Sequence, residues 1–315
     1  MTLSKVCRIV ENYGSCRSER AKLGESPINA GQNIKKSQVG IELVRLLAAE
    51  GDRVFSTDRA RELGPRVGLK DAYLWEALYH LRRNGWIVSL RRGLYALSST
   101  VPGVTPAHEF EIAMALVDPA AISHWSALHY HGLTEQMPRK VFVLTTTRTS
   151  VPRVRGGNHA WDGYPVGDTT YRFVQVKAER FFGTEKVWIG EARVTITDPE
   201  RTLLDGLAMP QYCGDFAEVL HAFEARRADL NLEQIIEYAL KMDGATTKRL
   251  GWVLEHQGID PSKLERLAAL PIKGYRKLDP TGPRKGPCNP RWMIQENLPG
   301  LPAALRSAQA GKVKA

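Results

Sequence analysis

The sequence predicts an α+β protein: an N-terminal winged helix-turn-helix, then a larger mixed domain with a small β-sheet and a C-terminal helical array. Three observations predict it. Residues 39–98 read as three helices followed by a hairpin with a basic tip. Residues 140–147 (KVFVLTTT) form a β-branched, apolar run suited to a central strand. Residues 198–268 carry one helix signal after another, beginning with a capped start at Asp198-Pro199.

Residues 1–37 mix Ser, Gly, Asn and basic side chains with little periodicity and read as a basic flexible arm. The first helix is marked by Ile41, Leu43, Val44, Leu47 and Ala48 and ends at Gly51. Ser56 or Thr57 then caps a short helix that closes at Gly64-Pro65. A third helix over about 69–84 puts Leu74, Ala77, Leu78 and Leu81 on one face and stops at Gly85. The runs 86–90 and 94–97, joined by Arg91-Arg92-Gly93, complete a hairpin. In a winged helix-turn-helix the third helix enters the DNA major groove and the hairpin tip rests on the backbone. With the leucines inward, Lys70, Asp71, Trp75 and Glu76 are placed to reach base edges, and Tyr79 shares their outer face. Arg82, Arg83, Arg91 and Arg92 are better placed for phosphates. The competing reading is a solvated charged helix in a small packing domain. The ordered caps, glycines and basic tip favour the groove reader.

This winged unit spans 38–99, and residues 100–106, rich in Thr, Pro and Gly, read as a linker. The second domain, 107–300, opens with helical signal at 109–116 and 123–131, followed by the 140–147 strand. Residues 151–169, crowded with Gly and Pro, read as loops. Strands follow at 171–177, 185–189 and 191–196, with Gly190 between the last two, and helices at 215–226, 232–241, 245–255 and 261–268. The segment 270–299 is irregular, and Tyr275, Trp292 and Met293 are its candidate anchors. Residues 301–315 read as a flexible tail.

The formal charge of +10 favours a polyanionic partner, nucleic acid before a membrane surface. No run approaches the roughly 18 apolar residues that a membrane helix needs. No apolar segment follows Lys5 and Arg8, so a secretory leader is not expected. Cys7, Cys16, Cys213 and Cys288 are scattered without a C-x-x-C pair, which fits a reducing cytoplasm and disfavours a zinc site.

Catalytic chemistry finds little footing. His124, His129 and His131 cluster, but no carboxylate stands at a zinc-enzyme spacing, and we read them as core or surface histidines. Asp198, Glu200 and Asp205 lie near a strand end, where a metal-dependent nuclease would place acids. Against that, Asp198 has a capping duty and Arg201 and Asp205 are spaced for an i, i+4 ion pair. There is no Walker-A loop, no G-x-G-x-x-G opening a helix and no G-x-S-x-G elbow, so neither enzyme activity nor a cofactor is expected. The basic run Arg139, Lys140, Arg148, Arg153 and Arg155 flanks the 141–147 strand as a candidate partner or DNA surface, with a solvated face as the alternative.

Four blocks together resemble the AbiEi-type antitoxins, the antitoxin halves of abortive-infection (type IV) toxin–antitoxin systems in bacteria. They are Arg92-Gly93-Leu94-Tyr95, the stretch I-S-H-W-S-A-L-H from Ile122, Val141-Phe142-Val143, and I-T-D-P-E-R-T-L-L-D from Ile196. The similarity covers roughly 40–300, and its most specific parts are the S-x-x-S-A-L and D-P-E-R-T-L-L-D blocks. The resemblance implies a winged domain that binds inverted repeats in its own promoter and represses the operon, with residues 70–83 plus Arg91 and Arg92 as the DNA face. It further implies that the C-terminal domain, about 104–300, counteracts a co-encoded nucleotidyltransferase toxin. The role of Arg201 and Asp205 in that signature stays open, and local physics favours packing. The expectation is therefore a cytoplasmic antitoxin and autorepressor. The alternatives are a stand-alone winged-helix regulator and a metal-dependent DNA-processing enzyme.

Overall fold

A computed structural model describes residues 27–148 and 163–298, with side chains from residue 38 onward. The expected arm before residue 27, most of the 151–169 loop and the tail beyond 300 lie outside the described residues.

The chain is mixed α+β. Helix α1 (Pro27–Ala49) is followed by strand β1 (Val54–Ser56) and helix α2 (Thr57–Leu63). After two short 3-10 turns come helix α3 (Leu74–Arg83) and the hairpin strands β2 (Ile87–Arg91) and β3 (Leu94–Leu97). Leucine spacing builds the first core: Leu43, Val44 and Leu47 of α1 meet Leu63, Leu74, Leu78 and Leu81, closed over by Phe55 and Tyr95. Ser56 caps α2, its Oγ accepting from the Arg59 amide at 3.1 Å. β1 pairs with β3, giving a three-stranded sheet in the order β1-β3-β2.

Several expectations need correction here. The first helix reaches back to Pro27, into the segment expected to be an arm. The third helix begins later than residue 69, because Asp71–Tyr73 forms a 3-10 turn before the α-helical register starts at Leu74. β1 was not foreseen; three residues carry no periodicity, and their pairing partner lies some forty positions away. The expected linker is also part of the first core: Val101 and Val104 are buried against it.

The second unit contains α4 (Glu109–Leu116), β4 (Ala121–Ile122), α5 (His124–Tyr130), β5 (Lys140–Thr145), β6 (Tyr164–Val166), β7 (Thr169–Gln175), β8 (Thr184–Ile189) and β9 (Ala192–Thr197). Six strands line up as β6-β7-β5-β4-β9-β8, with β5 hydrogen-bonded on both sides and buried from Val141 to Thr145. The run 151–169 is thus not wholly loop, since β6 and the start of β7 fall inside it.

Then come α6 (Pro199–Ala208), α7 (Phe216–Arg226), α8 (Leu232–Leu240), α9 (Gly244–His256) and α10 (Glu265–Ala268), with 3-10 residues 261–264 ahead of α10. α6 is the hub of this array: it touches α5, α7, α8 and α9, and every residue from Glu200 to Leu207 is buried. A small sheet of β10 (Arg276–Lys277), β12 (Ile294–Gln295) and β11 (Cys288–Asn289) covers α9. Trp292 anchors it by lying on Gly251, where an added β-carbon would fall 2.0 Å from the indole. Met293 is only partly buried, and Tyr275 is exposed and so anchors nothing. Among the described residues no helix is long and apolar enough to cross a membrane.

The two units share a core. Leu90 of β2 and Ala96 of β3 join Phe110, Ala113 and Leu116 of α4 and Val143 and Ile196 of the large sheet in one apolar cluster. Arg53 reaches across to Glu111 (3.1 Å) and Glu191 (2.6 Å), and the Tyr164 hydroxyl donates to the Leu90 carbonyl at 2.6 Å.

Candidate nucleic-acid interface

α3 turns its leucines inward, with Ala77 half-buried beside them, and sets its other residues toward solvent. Leu74, Leu78 and Leu81 are buried, and the opposite side carries Trp75, Glu76, Tyr79, His80, Arg82 and Arg83, all exposed. Trp75 is 59% exposed, Tyr79 51% and the preceding Tyr73 49%. The helix ends where Gly85 adopts φ 73°, a left-handed value that relieves glycine of the β-carbon clash other residues would meet. The amides of Gly85 and Trp86 close back on the carbonyls of Arg82 (3.0 Å) and Leu81 (2.9 Å), so the exit angle into β2 is set by hydrogen bonds.

The hairpin tip is fixed in the same way. Gly93 has φ 75°, and its carbonyl accepts from the Thr57 amide at 2.9 Å, pinning the tip to the start of α2. Arg91 and Arg92 project from that pinned turn and are exposed.

Partnering separates two kinds of arginine in this unit. Arg59 is held by Asp52 (2.7 Å) and Glu62 (2.8 Å), Arg61 by Asp58 (2.5 Å) and Asp71 (2.8 Å), and Arg66 by Glu50 (2.7 Å). Lys70, Arg82, Arg83, Arg91 and Arg92 are exposed and have no acidic partner among the described residues. Intramolecular pairs take up the first group, and the second group is what a polyanion could meet. Asp71, expected at base edges, is instead engaged by Arg61 and ties the end of α2 to the turn before α3. Glu76 lies 3.9 Å from His80 one turn on.

Of the second basic run, the described residues Arg139, Lys140 and Arg148 are spread along β5. Arg139 and Lys140 stand at the start of β5 and Arg148 beyond its end, roughly 20 Å away at about 3.3 Å per strand residue. Lys140 has a partner of its own, and Arg153 and Arg155 lie outside the described residues. Arg148 instead joins Arg91 on the wall of a cleft of about 600 Å³, together with Asp118, Tyr164, Phe173 and Met114 of α4. Sequence reasoning missed this pairing, because the two arginines are brought together only by the docking of the hairpin onto the second unit. It also passed over Tyr73, whose place two residues before Trp75 was the available signal.

The acids of the α6 signature diverge. Asp198 Oδ1 caps α6 at the Arg201 amide (2.8 Å), while Oδ2 accepts from the Tyr238 hydroxyl (2.9 Å) and Gln234 (3.2 Å). Burial raises its carboxyl pKa against the lowering effect of the bonds from the Arg201 amide and the Tyr238 hydroxyl. Buried Glu200 accepts from the Asn231 amide at 3.0 Å. Asp205 pairs with Arg201 at 2.9 Å with both side chains 1% exposed, and Arg201 also donates to the carbonyls of Arg180 (2.8 Å) and Phe182 (3.1 Å). Each of the three carboxylates is engaged by protein donors, as in a packing arrangement.

The histidines also separate. His129 is exposed, and His131 Nε2 is 2.7 Å from the Thr197 carbonyl oxygen. His124 is fully buried, with Nδ1 2.8 Å from Ser123 Oγ and a left-handed φ of 51°. Burial pushes its pKa below 6.5, Asp205 pulls upward and Arg201 adds to the lowering.

No protein-family model matches the chain, and no curated protein does. Among solved structures, the crystal structure of the Rv2827c protein from Mycobacterium tuberculosis is similar with a TM-score of 0.61 at 15% identity, covering 82% of this chain and 90% of that one. At that identity the likeness is one of fold alone.

Proposed function

We propose that this chain is a cytoplasmic, non-enzymatic antitoxin that binds duplex promoter DNA through a winged helix-turn-helix formed by residues 38–99 and represses its own operon. On this reading its second domain counteracts a co-encoded nucleotidyltransferase toxin. The observation that carries the DNA-binding half is the set of exposed cations without acidic partners among the described residues, Lys70, Arg82, Arg83, Arg91 and Arg92, on one helix with the turn before it and on one pinned hairpin tip. α3 would enter the major groove with Trp75, Glu76 and Tyr79 toward base edges, while the hairpin arginines lie on phosphates. The antitoxin half rests on the resemblance of the S-x-x-S-A-L and D-P-E-R-T-L-L-D blocks.

Duplex affinity measured against salt tests the first half. Arg82→Ala with Arg83→Ala should lower affinity at physiological salt and reduce the slope of log K against log[salt] by about 2, near one unit for each phosphate no longer neutralised. An unchanged slope would remove these arginines from the interface. The same full-length variant, co-expressed with a nucleotidyltransferase encoded beside it, separates the two activities. Growth rescue should persist while promoter repression is lost. A second reading, a stand-alone regulator that senses a small anion, is favoured by the cleft shared by Arg91 and Arg148. The absence of such a neighbouring gene would favour it further.

A further inference from the structure

We propose that α3 reads thymine: the Trp75 and Tyr79 rings, with Tyr73 ahead of them, form an apolar contact surface for the C5-methyl groups of thymines in the major groove. The inference rests on the DNA-binding reading above and specifies what that interface recognises.

The three rings stand about half exposed or more within seven residues. They are not surplus core, because Leu74, Leu78 and Leu81 already fill the inward face of the same helix. Spacing of i and i+4 stacks Trp75 and Tyr79 into one lane along the helix, and Arg82 continues that lane one turn later. Exposed aromatic area of this kind marks a contact surface.

Its surroundings select the occupant. Lys70 precedes the lane, Arg82 and Arg83 end it, and Arg91 and Arg92 are exposed on the hairpin that follows α3, none with an acidic partner among the described residues. A partner that satisfies both features is anionic at its edges and apolar between them. The major groove offers phosphates on each side and one apolar group on its floor, the thymine methyl. An indole carries a single N–H donor and no acceptor, so Trp75 cannot make the bidentate contacts that distinguish guanine or adenine. Beyond that one donor, what it offers a base edge is ring surface.

The test uses the full-length chain and a pool of random duplexes. Enriched duplexes are resynthesised with deoxyuridine in place of thymidine, one position at a time, which removes the methyl and leaves pairing and the O4 acceptor intact. The expected result is a loss of roughly fourfold in affinity per contacted methyl at one or more positions. Trp75→Ala or Tyr79→Ala should erase the penalty at the matching position while the far-UV spectrum stays unchanged. Equal affinity for every uracil-substituted duplex overturns the methyl inference and leaves DNA binding standing. Tighter binding of single-stranded oligonucleotides than of duplexes also overturns it, since it would make the rings a stacking platform. Failure to enrich any duplex, with no shift at low salt, sinks the DNA-binding reading itself.

Discussion

Helices α3 and α6 are each ten residues long and draw on the same charged residue types, yet they put them to opposite use. In α3 the arginines are exposed, with no acidic partner among the described residues. In α6 Arg201 is 1% exposed, its guanidinium shared among Asp205 and two backbone carbonyls and lying 4.5 Å over the Phe182 ring. Water solvates the first set until a ligand replaces it, whereas the second set has already exchanged water for fixed partners. The presence of charge therefore does not mark a site; exposure without an acidic partner does. By that criterion the 198–205 block of the second unit is a structural hub, and the cations of the first unit are the ones left open to solvent.

The comparison can be broken most directly at α6. Replacing Arg201 by Leu leaves the Asp205 carboxylate buried without its counter-charge and should cost about 3–5 kcal/mol in a urea denaturation. A variant as stable as the parent would show that the pair is not the keystone of the array.

Acid should expose the same region. His124 is held neutral in the folded chain, while the unfolded chain titrates near 6.5. Between its lowered folded pKa and 6.5 the unfolded state binds more protons, so stability rises with pH across that window. The contribution is complete above 6.5 and is lost as pH falls below it. His124→Asn, which tolerates the left-handed φ, should flatten that slope, and midpoints collected from pH 7 downward check it. Equal slopes in parent and variant would assign the acid sensitivity to other groups.

Smaller effects belong to the first unit. Ser56→Ala removes the α2 cap and should cost about 1 kcal/mol, with some loss of duplex affinity because α2 also holds the hairpin tip at Gly93. Arg82→Ala with Arg83→Ala should shift stability by no more than about 0.5 kcal/mol, as exposed positions do. A large destabilisation there would mean that these arginines serve the fold and would erase the contrast with α6.

Much of the architecture was legible because its signals are local. The Ser56 and Asp198 caps, Pro199 in the first turn, the leucine spacing of α3 and the turn at Gly190 each act within a few residues, and each element stands within a few residues of its expected place. The misses share a different property. β1 and β4 have only three and two residues and exist through partners far along the chain. Val101 and Val104, read as linker from their Pro and Gly neighbours, are buried because a core lies beneath them. Of the expected basic run along β5, Arg139 and Lys140 stand at one end of the strand and Arg148 beyond the other, because an extended strand separates neighbours in sequence.

By itself, then, the sequence determined which segments become helix or strand and which face of each is apolar, since backbone sterics, capping and side-chain periodicity act over a few residues. Only the tertiary structure decided which charges remain unpaired. Arg61 and Arg82 are indistinguishable as letters, and it is the approach of Asp58 and Asp71 to one and, among the described residues, of nothing acidic to the other that separates scaffold from surface. Pairing depends on a few ångströms between segments that no local rule relates.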